Sequence, residues 1–139
     1  MVPKGSNSGF YVMGRYEVQI FDSYGKPKER LGTVDVGSIY STRAPGENVS
    51  KPAGEWQSFD IVFRAPRFDA TGKKTSNALF VLVKLNGKTI HENVQAPKPT
   101  GSEIDSKEVA KAPIMLQGDH GPIAFRNVWV KPVAMRGEK

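Results

Sequence analysis

Closely spaced glycine and proline residues limit this chain to short elements of secondary structure. The 139 residues include 14 glycines and 10 prolines, so a residue that interrupts regular structure occurs about once in six positions. An average helix needs a longer uninterrupted segment, whereas a strand of about five residues does not. The spacing therefore predicts an all-β chain of short strands joined by turns and loops.

Hydrophobic patterning locates the predicted strands. Residues 78–85 (ALFVLVKL) are nearly all apolar, which is typical of a strand in the middle of a sheet with both faces covered. Asn86-Gly87 follows, and this dipeptide best tolerates the two positive φ angles of a type I′ turn, so a hairpin to 88–95 is expected. Strands are also predicted at 9–13 and 16–22, joined by a tight hairpin turn at Gly14-Arg15, and at 56–64, 114–117 and 123–131, with a weaker pair inside 33–40. Residues 41–54 and 96–113 are predicted loops, the second with a short helical segment capped by Ser102.

Charge and composition exclude several classes of protein. Twenty Lys and Arg against 14 Asp and Glu give a net charge of +6, but the basic residues are scattered and do not alternate with aromatic residues as in a nucleic-acid-binding stripe. The absence of cysteine excludes disulfides and thiolate zinc sites. No apolar run approaches the roughly 20 residues that cross a bilayer, and the first residues lack the apolar core of a signal peptide. Sequence motifs for phosphate loops, dinucleotides, HExxH zinc sites and EF-hands are also missing.

The strand predicted at 16–22 (YEVQIFD) carries a candidate site. Side chains alternate between the faces of a strand, so Glu17 and Gln19 project together while Tyr16 and Val18 point the other way. Residues two apart lie about 7 Å from each other, a separation that lets two polar groups contact one sugar-sized ligand. A concave sheet face at this position would therefore form a binding site.

Four separated stretches resemble one protein family. They are residues 7–9 with 16–22, 37–40 (GSIY), 51–56 (KPAGEW), and 116–122 (LQGDHGP) with 125–130 (FRNVWV). In order and spacing, over nearly the whole chain, they are similar to the 3-keto-disaccharide hydrolase domain family. The resemblance implies a single domain over 1–139 with a concanavalin A-like jelly-roll sandwich of two antiparallel sheets, in which the curved face of one sheet binds a carbohydrate. It also implies a periplasmic or extracellular location.

The same resemblance implies that strands at the N-terminal end of the family domain are missing here. Members of the family begin some tens of residues earlier, so this chain would correspond to the C-terminal two-thirds of the domain. A sandwich without those strands exposes apolar surface and unpaired edges. Homo-oligomerisation or a strand-completing segment is therefore expected.

The reaction implied by the family is cleavage of a 3-keto-glycoside. A keto group at C3 acidifies the proton on C2, so its removal by a base can drive loss of the glycosidic oxygen from C1. Such a reaction needs a base, a group that stabilises the enolate oxygen and an acid for the leaving group. Glu17 or His120 is the candidate base, Asp22 or His120 the candidate acid, and Arg126 or a divalent metal ion the candidate stabiliser. Substrate contacts are assigned to Gln19, Gln117 and Tyr40.

Direct hydrolysis by two carboxylates is not expected. The spacing Glu17-x-Gln19-x-x-Asp22 is similar to the ExDxxE strand of laminarinase-type glucanases, but Gln19 replaces the middle acid and Asp22 is one carbon shorter than Glu. A non-catalytic, lectin-like carbohydrate-binding module on the same scaffold is the alternative function. An inactive remnant that lacks its first strands is a third interpretation.

Several candidate residues also have purely structural interpretations. Asp22 at the strand end suits a turn in which its carboxylate accepts the amides of Tyr24 or Gly25. His91 lies two residues from Thr89 and from Asn93, so it would share their face of the hairpin strand. This pattern predicts a solvent-exposed ring. Trp56 and Trp129 are expected in the core rather than in a sugar site.

Overall fold

The computed structural model describes residues 1–133, and in this part of the chain the regular structure is almost entirely β. The strands are β1 (Asn7–Val12), β2 (Tyr16–Phe21), β3 (Phe59–Arg64), β4 (Arg67–Phe68), β5 (Lys74–Ser76), β6 (Ala78–Leu85), β7 (Lys88–Ala96) and β8 (Met115–Leu116). A single 3-10 turn, Lys28–Arg30, is the sole helical element that the described residues contain. Over residues 1–133, no helix is long and apolar enough to cross a membrane. The all-β prediction is confirmed.

Two antiparallel sheets of three strands each form the sandwich. One has the order β2-β1-β8 and the other β3-β6-β7, while β4 and β5 make a separate ribbon. Tyr16 of β2, Phe63 of β3 and Phe80 of β6 meet between the sheets, with ring centroids 5.4 Å and 5.0 Å apart. Tilted and edge-on aromatic pairs of this kind add to the stabilisation from burial. The expected jelly-roll sandwich is therefore the observed fold class.

The predicted central strand and its hairpin are confirmed. β6 lies between β3 and β7, and its Phe80, Val83 and Leu85 are fully buried. Asn86 and Gly87 have φ angles of 52° and 81°, as a type I′ turn requires. The Asn86 side chain also bonds the segment before β3, since its Oδ1 accepts the N–H of Ser58 at 3.0 Å.

The β1–β2 hairpin is confirmed, with its turn one residue earlier than predicted. Met13 and Gly14 have positive φ angles of 56° and 60°, whereas the expected centre was Gly14-Arg15. Arg15 is the last residue of the turn, directly before β2, and is buried, 5% exposed. Its Nε donates to the carbonyl of Lys107 at 2.6 Å, and its Nη2 contacts Asp105 at 3.3 Å. The hairpin thereby holds a distant loop against β2.

Three predicted elements are wrong. Residues 33–40 form only isolated bridges, in which Ile39 pairs with Val18 and with Arg43. Residues 123–131 lie within the described chain and contain no strand, although Ala124 exchanges two backbone hydrogen bonds with Met1. No helical segment follows Ser102, which has a positive φ of 53° that a helix does not allow. All three segments lie in loops whose positions depend on distant contacts rather than on local pattern.

Two side chains take the opposite environment from the predicted one. His91 is buried, because β7 turns this ring inward, and its Nε2 donates to the carbonyl of Gly37 at 2.8 Å. Burial lowers the pKa of this imidazole, and the bond to Gly37 opposes that shift. Trp129 is 86% exposed rather than part of the core, because the segment that carries it pairs with no strand of residues 1–133. Trp56 is partly buried and packs under Arg126.

We expect Arg15→Met to destabilise the protein by about 1–3 kcal/mol, because the hydrogen bonds of the buried guanidinium to Lys107, Asp105 and the carbonyl of Met13 would be lost. Arg30→Met is the matched control, since Arg30 is exposed in the 3-10 turn. Urea unfolding measures the difference, and amide hydrogen exchange should accelerate at residues 104–108 in the Arg15 variant. Equal stability of the two variants would contradict this role for Arg15.

Candidate active site

A small polar recess lies on the outer face of the β2-β1-β8 sheet. Its volume is about 40 Å³, and it is lined by Asn7, Tyr11, Glu17, Gln19, Tyr40, Ser102, Gln117 and His120. The recess joins one carboxyl and one imidazole from segments about a hundred residues apart in the chain. Five of the seven residues predicted as site residues are therefore brought together here.

The register of the β1–β2 pair explains the strand side of the recess. Tyr11 lies opposite Glu17, and Gly9 lies opposite Gln19. Cross-strand partners share a face of the sheet, so alternate residues of both strands project into the recess while Tyr16 and Val18 enter the core. The predicted division of faces in β2 is confirmed.

Gly9 makes room for the carboxyl of Glu17. A Cβ added at Gly9 would overlap Oε1 of Glu17 and would lie 2.8 Å from the ring of Tyr11. Real Cβ atoms do not approach other atoms so closely, so a larger residue would force Glu17 to move. Position 9 of the Asn7-Ser8-Gly9 stretch therefore needs glycine, because the site has no space for a Cβ.

Backbone bonds along the side of β1 that faces β8 hold the His120 turn beside the recess. The N–H of Gln117 donates to the carbonyl of Gly9 at 3.0 Å, and the N–H of Asn7 donates to the carbonyl of His120 at 3.2 Å. Between them, the hydroxyl of Ser8 donates to the carbonyl of Gln117 at 2.7 Å. These bonds place Glu17 and His120 on one recess, as a shared site requires.

The opposite edge of β2 is held by two loops. The N–H of Glu17 donates to Oγ1 of Thr100 at 2.9 Å, and its carbonyl accepts the N–H of Tyr40 at 3.1 Å. Ser102 follows in the same loop and bonds the hydroxyl of Tyr11. The loops cover the outer face of the sheet, so the polar residues of β2 are buried although they point away from the core.

Burial gives Glu17 an unusual protonation equilibrium. The residue is 3% exposed, and desolvation raises the pKa of its carboxyl to about 7, although the hydrogen bond from Tyr11 and the nearby His120 oppose the shift. Desolvation and the same Glu17 bond raise the pKa of the Tyr11 phenol, which stays protonated as a donor. A carboxyl that titrates near neutral pH can both accept and donate a proton under working conditions.

His120 has a carboxylate partner in the adjacent residue. Its Nδ1 lies 2.7 Å from Oδ1 of Asp119 and 3.2 Å from Nε2 of Gln117. An ionised carboxylate can only accept, so this bond requires a proton on Nδ1 and leaves Nε2 as the other ring nitrogen. This bond also lowers the pKa of Asp119, which keeps it ionised.

Two amide oxygens in the recess have no hydrogen-bond partner within residues 1–133. They are Oδ1 of Asn7 and Oε1 of Gln19. The other end of the Gln19 amide is occupied, since Nε2 donates to the carbonyl of Val34 at 3.1 Å. A buried acceptor without a donor costs free energy, so both oxygens are suited to ligand hydroxyl groups.

The described residues contain no group of three or more His, Cys, Asp or Glu side chains that could hold a metal ion. The recess itself presents one carboxyl, that of Glu17, and one imidazole, that of His120. The divalent metal ion considered from the sequence has no such ligand set in this part of the chain.

Two predicted site residues lie elsewhere. Asp22 does not line the recess, and its Oδ2 accepts the N–H of Gly5 at 3.0 Å rather than the amides of Tyr24 or Gly25. Arg126 does not line it either, since its Cζ lies 3.8 Å from the ring centroid of Trp56 in a cation–π contact. No strand bulge turns Asp22 back onto the face of Glu17, because β2 ends at Phe21 and pairs in unbroken register.

Four residues of this region were not among the predicted site residues. Tyr11 and Asn7 follow from the hairpin register once the turn is placed at Met13-Gly14, because both share a face of β1 with Gly9. Asp119 was visible as the acidic neighbour of His120. Ser102 gave no local signal, because only tertiary contacts bring it to the recess.

The fold and the recess define an antiparallel jelly-roll domain with a polar recess that contains a buried carboxyl and an imidazole. A sequence model of the 3-keto-alpha-glucoside-1,2-lyase-like domain matches residues 1–131, so the chain belongs to this family. The expected family membership is confirmed, and it supports a carbohydrate-active function. Comparison with curated protein sequences gave no match.

Two crystal structures of Parabacteroides distasonis proteins, both provisionally assigned as glycosyl hydrolases, are similar to this chain. The first has a TM-score of 0.69 and 29% identity, and the match covers 84% of this chain and 50% of that protein. This chain thus spans about half the length of that neighbour. The second has a TM-score of 0.48 and 29% identity, and the match covers 86% of this chain and 66% of that protein.

We expect Gly9→Ala to destabilise the protein by about 1–3 kcal/mol, because the new methyl group overlaps the Glu17 carboxyl in a packed site. Gly118→Ala is the matched control, since a Cβ there meets no described atom within 4 Å. Urea unfolding measures stability, and carboxyl NMR should show a changed Glu17 titration in the Gly9 variant alone. An unchanged titration would show that the carboxyl does not depend on the space at Gly9.

We expect Glu17→Gln to be more stable than the wild type above pH 7. The folded-state pKa of Glu17 is raised from 4.5 to about 7, so between these values the folded state binds more protons than the unfolded state and wild-type stability falls as pH rises. The full effect is at most about 3 kcal/mol, from about 1.4 kcal/mol per pKa unit. Unfolding at pH 5 and pH 8.5 tests this, with exposed Glu92→Gln as the control. A gain that does not grow with pH would contradict a buried, titrating Glu17.

Proposed function

We propose that this domain cleaves 3-keto-glycosides by acid–base chemistry in the recess around Glu17. The observation that carries the proposal is a buried carboxyl with a pKa of about 7 in the same polar recess as His120. The family description, a 3-keto-alpha-glucoside-1,2-lyase-like domain, supports the same substrate class.

The proposed reaction is an elimination followed by hydration. A base removes the proton from C2, and the electron pair of the C–H bond forms an enolate with the C3 carbonyl. Collapse of the enolate forms the C1–C2 double bond and breaks the bond from C1 to the glycosidic oxygen, which takes a proton and leaves as an alcohol. Addition of water across that double bond, with OH at C1 and H at C2, yields the 3-keto-sugar.

Glu17 and His120 divide the proton transfers in this proposal. The ionised carboxylate of Glu17 takes the C2 proton, which its raised pKa favours because a more basic carboxylate binds the proton more firmly. Protonated His120, held at Nδ1 by Asp119, gives the proton from Nε2 to the leaving oxygen. Once Glu17 is protonated, the hydroxyl of Tyr11 is released from its charged partner and can donate to the enolate oxygen.

The remaining lining residues suit substrate binding. The unpaired oxygens of Asn7 and Gln19 accept sugar hydroxyls, and the Gln117 amide adds a further polar contact. The ring of Tyr40 offers an apolar face to the sugar. Asp22 and Arg126 have no role in this proposal, since neither lines the recess.

We further propose a periplasmic or extracellular location and a carbohydrate as the principal ligand, as the family association suggests. Self-association, or completion of the sandwich by another segment, stays a prediction from the sequence. The exposed side chains of Val128, Trp129 and Val130 are compatible with such a contact.

Incubation with a 3-keto-disaccharide tests the activity. We expect the wild type to release the 3-keto-sugar, with the acidic limb of the pH profile of kcat/KM near pH 7, where Glu17 ionises. Glu17→Gln and His120→Ala should each lower kcat/KM by about 100-fold or more, because proton transfer contributes factors of that size. Glu92→Gln, at an exposed glutamate of β7, should leave it unchanged.

Each other outcome has a defined meaning. Binding of the keto-disaccharide without turnover would favour the non-catalytic carbohydrate-binding module. Turnover that survives both substitutions would remove Glu17 and His120 from the chemistry. Parallel reactions with a chelator and with added divalent metal show whether the reaction requires an ion.

A further inference from the structure

A second, larger recess adjoins the first and is not used by the mechanism. It is an open groove of about 540 Å³ between residues 41–42 and residues 98–106. We propose that this groove binds the leaving part of the glycoside, a second sugar or a similarly hydroxylated neutral aglycone, while the recess at Glu17 binds the keto-sugar. The inference rests on the proposed function, and it adds the site that distinguishes a disaccharide from a simple glycoside.

The two recesses share one wall. Tyr40 and Ser102 line the first recess, and their chain neighbours Ser41 and Gly101 line the second. A Cβ built at Gly101 would lie 3.9 Å from the Tyr40 ring. The two segments of the wall are therefore neighbours. Consecutive Cα atoms are about 3.8 Å apart, so the linings of the two recesses meet at this wall.

The backbone of the wall is held in an uncommon conformation. Ser41 and Ser102 both have positive φ angles, 54° and 53°. Non-glycine residues adopt this region at a free-energy cost and keep it where surrounding bonds impose it. Here the N–H of Ser41 donates to the carbonyl of Thr33 at 3.1 Å, and the N–H of Thr100 donates to the carbonyl of Arg15 at 3.0 Å. These backbone hydrogen bonds therefore fix the conformation of the wall.

The two recesses differ in volume and therefore in the part of the ligand that each can hold. A volume of about 40 Å³ accepts the hydroxyls along one edge of a sugar but not a disaccharide. The adjoining 540 Å³ lies within the range of about 300–1,000 Å³ that is usual for small-molecule sites. Together they can hold one edge of the keto-sugar in the first recess and the second sugar in the groove, with the glycosidic bond near the wall.

The lining of the groove suits a neutral hydroxylated ligand. Ser41, Thr42 and Ser106 supply hydroxyls that donate and accept, and the ring of Pro99 supplies an apolar face. Lys98 and Glu103 contribute one charge of each sign, so the groove carries no net charge that would select an anion or a cation.

Thr42→Trp fills the groove and tests the proposal. The Thr42 side chain is exposed and its backbone N–H bonds Ile39, so the substitution leaves that bond in place. The control is Thr89→Trp, at an exposed position of β7 outside both recesses. The two substrates are methyl 3-keto-α-glucoside and a 3-keto-α-disaccharide in which a glucose replaces the methyl group.

We expect Thr42→Trp to raise KM for the disaccharide about tenfold, the loss of roughly 1.4 kcal/mol of binding, and to leave the methyl glycoside unchanged. Thr89→Trp should change neither. A Thr42→Trp protein that handles both substrates as the wild type does, or that loses both equally, would overturn the second binding site.

Amide NMR separates this inference from the proposed function. In Glu17→Gln protein, the disaccharide should shift the amides of Ser41, Thr42 and Ser106 beyond the shifts caused by the methyl glycoside. Shifts at the first recess alone would overturn the groove as a site and leave the proposed function standing. Shifts at both recesses without wild-type turnover would support the groove and refute the lyase activity. Absence of shifts from either sugar would refute both.

Discussion

The pairing register of β1 and β2 is the constraint on which the rest of the structure depends. It sets Tyr11 opposite Glu17 and Gly9 opposite Gln19, so one face of the hairpin enters the core and the other becomes the floor of the recess. A slip of one residue would exchange the two faces. The core contacts of Tyr16 and Val18 oppose such a slip, and they thereby hold Glu17 in the recess.

The loops then convert a sheet face into a desolvated site. Arg15, Thr100 and Tyr40 bond the 100–107 loop and the 40–41 segment to the free edge of β2, while the His120 turn bonds β1 on the side that faces β8. Desolvation of a carboxyl costs stability unless it is protonated. The domain tolerates this loss of stability at Glu17. Carboxyl groups with pKa values shifted in this way are common at sites of proton transfer.

Local pattern predicted the elements whose signal is complete within a few residues. Asn86-Gly87 carries its own turn geometry, and the apolar run 78–85 carries its own burial, so this hairpin was located correctly. The tail that contains Trp129 shows the limit of the method, since it has a strand-like pattern but pairs with no strand of the described chain. His91 shows a second limit, because its orientation depends on the bulge in β6–β7 pairing near Val83.

The sequence by itself determined the all-β class, the hairpins, the family and the shared face of Glu17 and Gln19, because turn chemistry and alternation act over neighbouring residues. Only the tertiary structure decided which residues complete the recess. Tyr11 and Ser102 joined it and Asp22 and Arg126 did not, since membership depends on strand register and on loop contacts across about a hundred residues. The raised pKa of Glu17 was equally hidden, because burial is a property of what packs above a side chain and not of its neighbours in the chain.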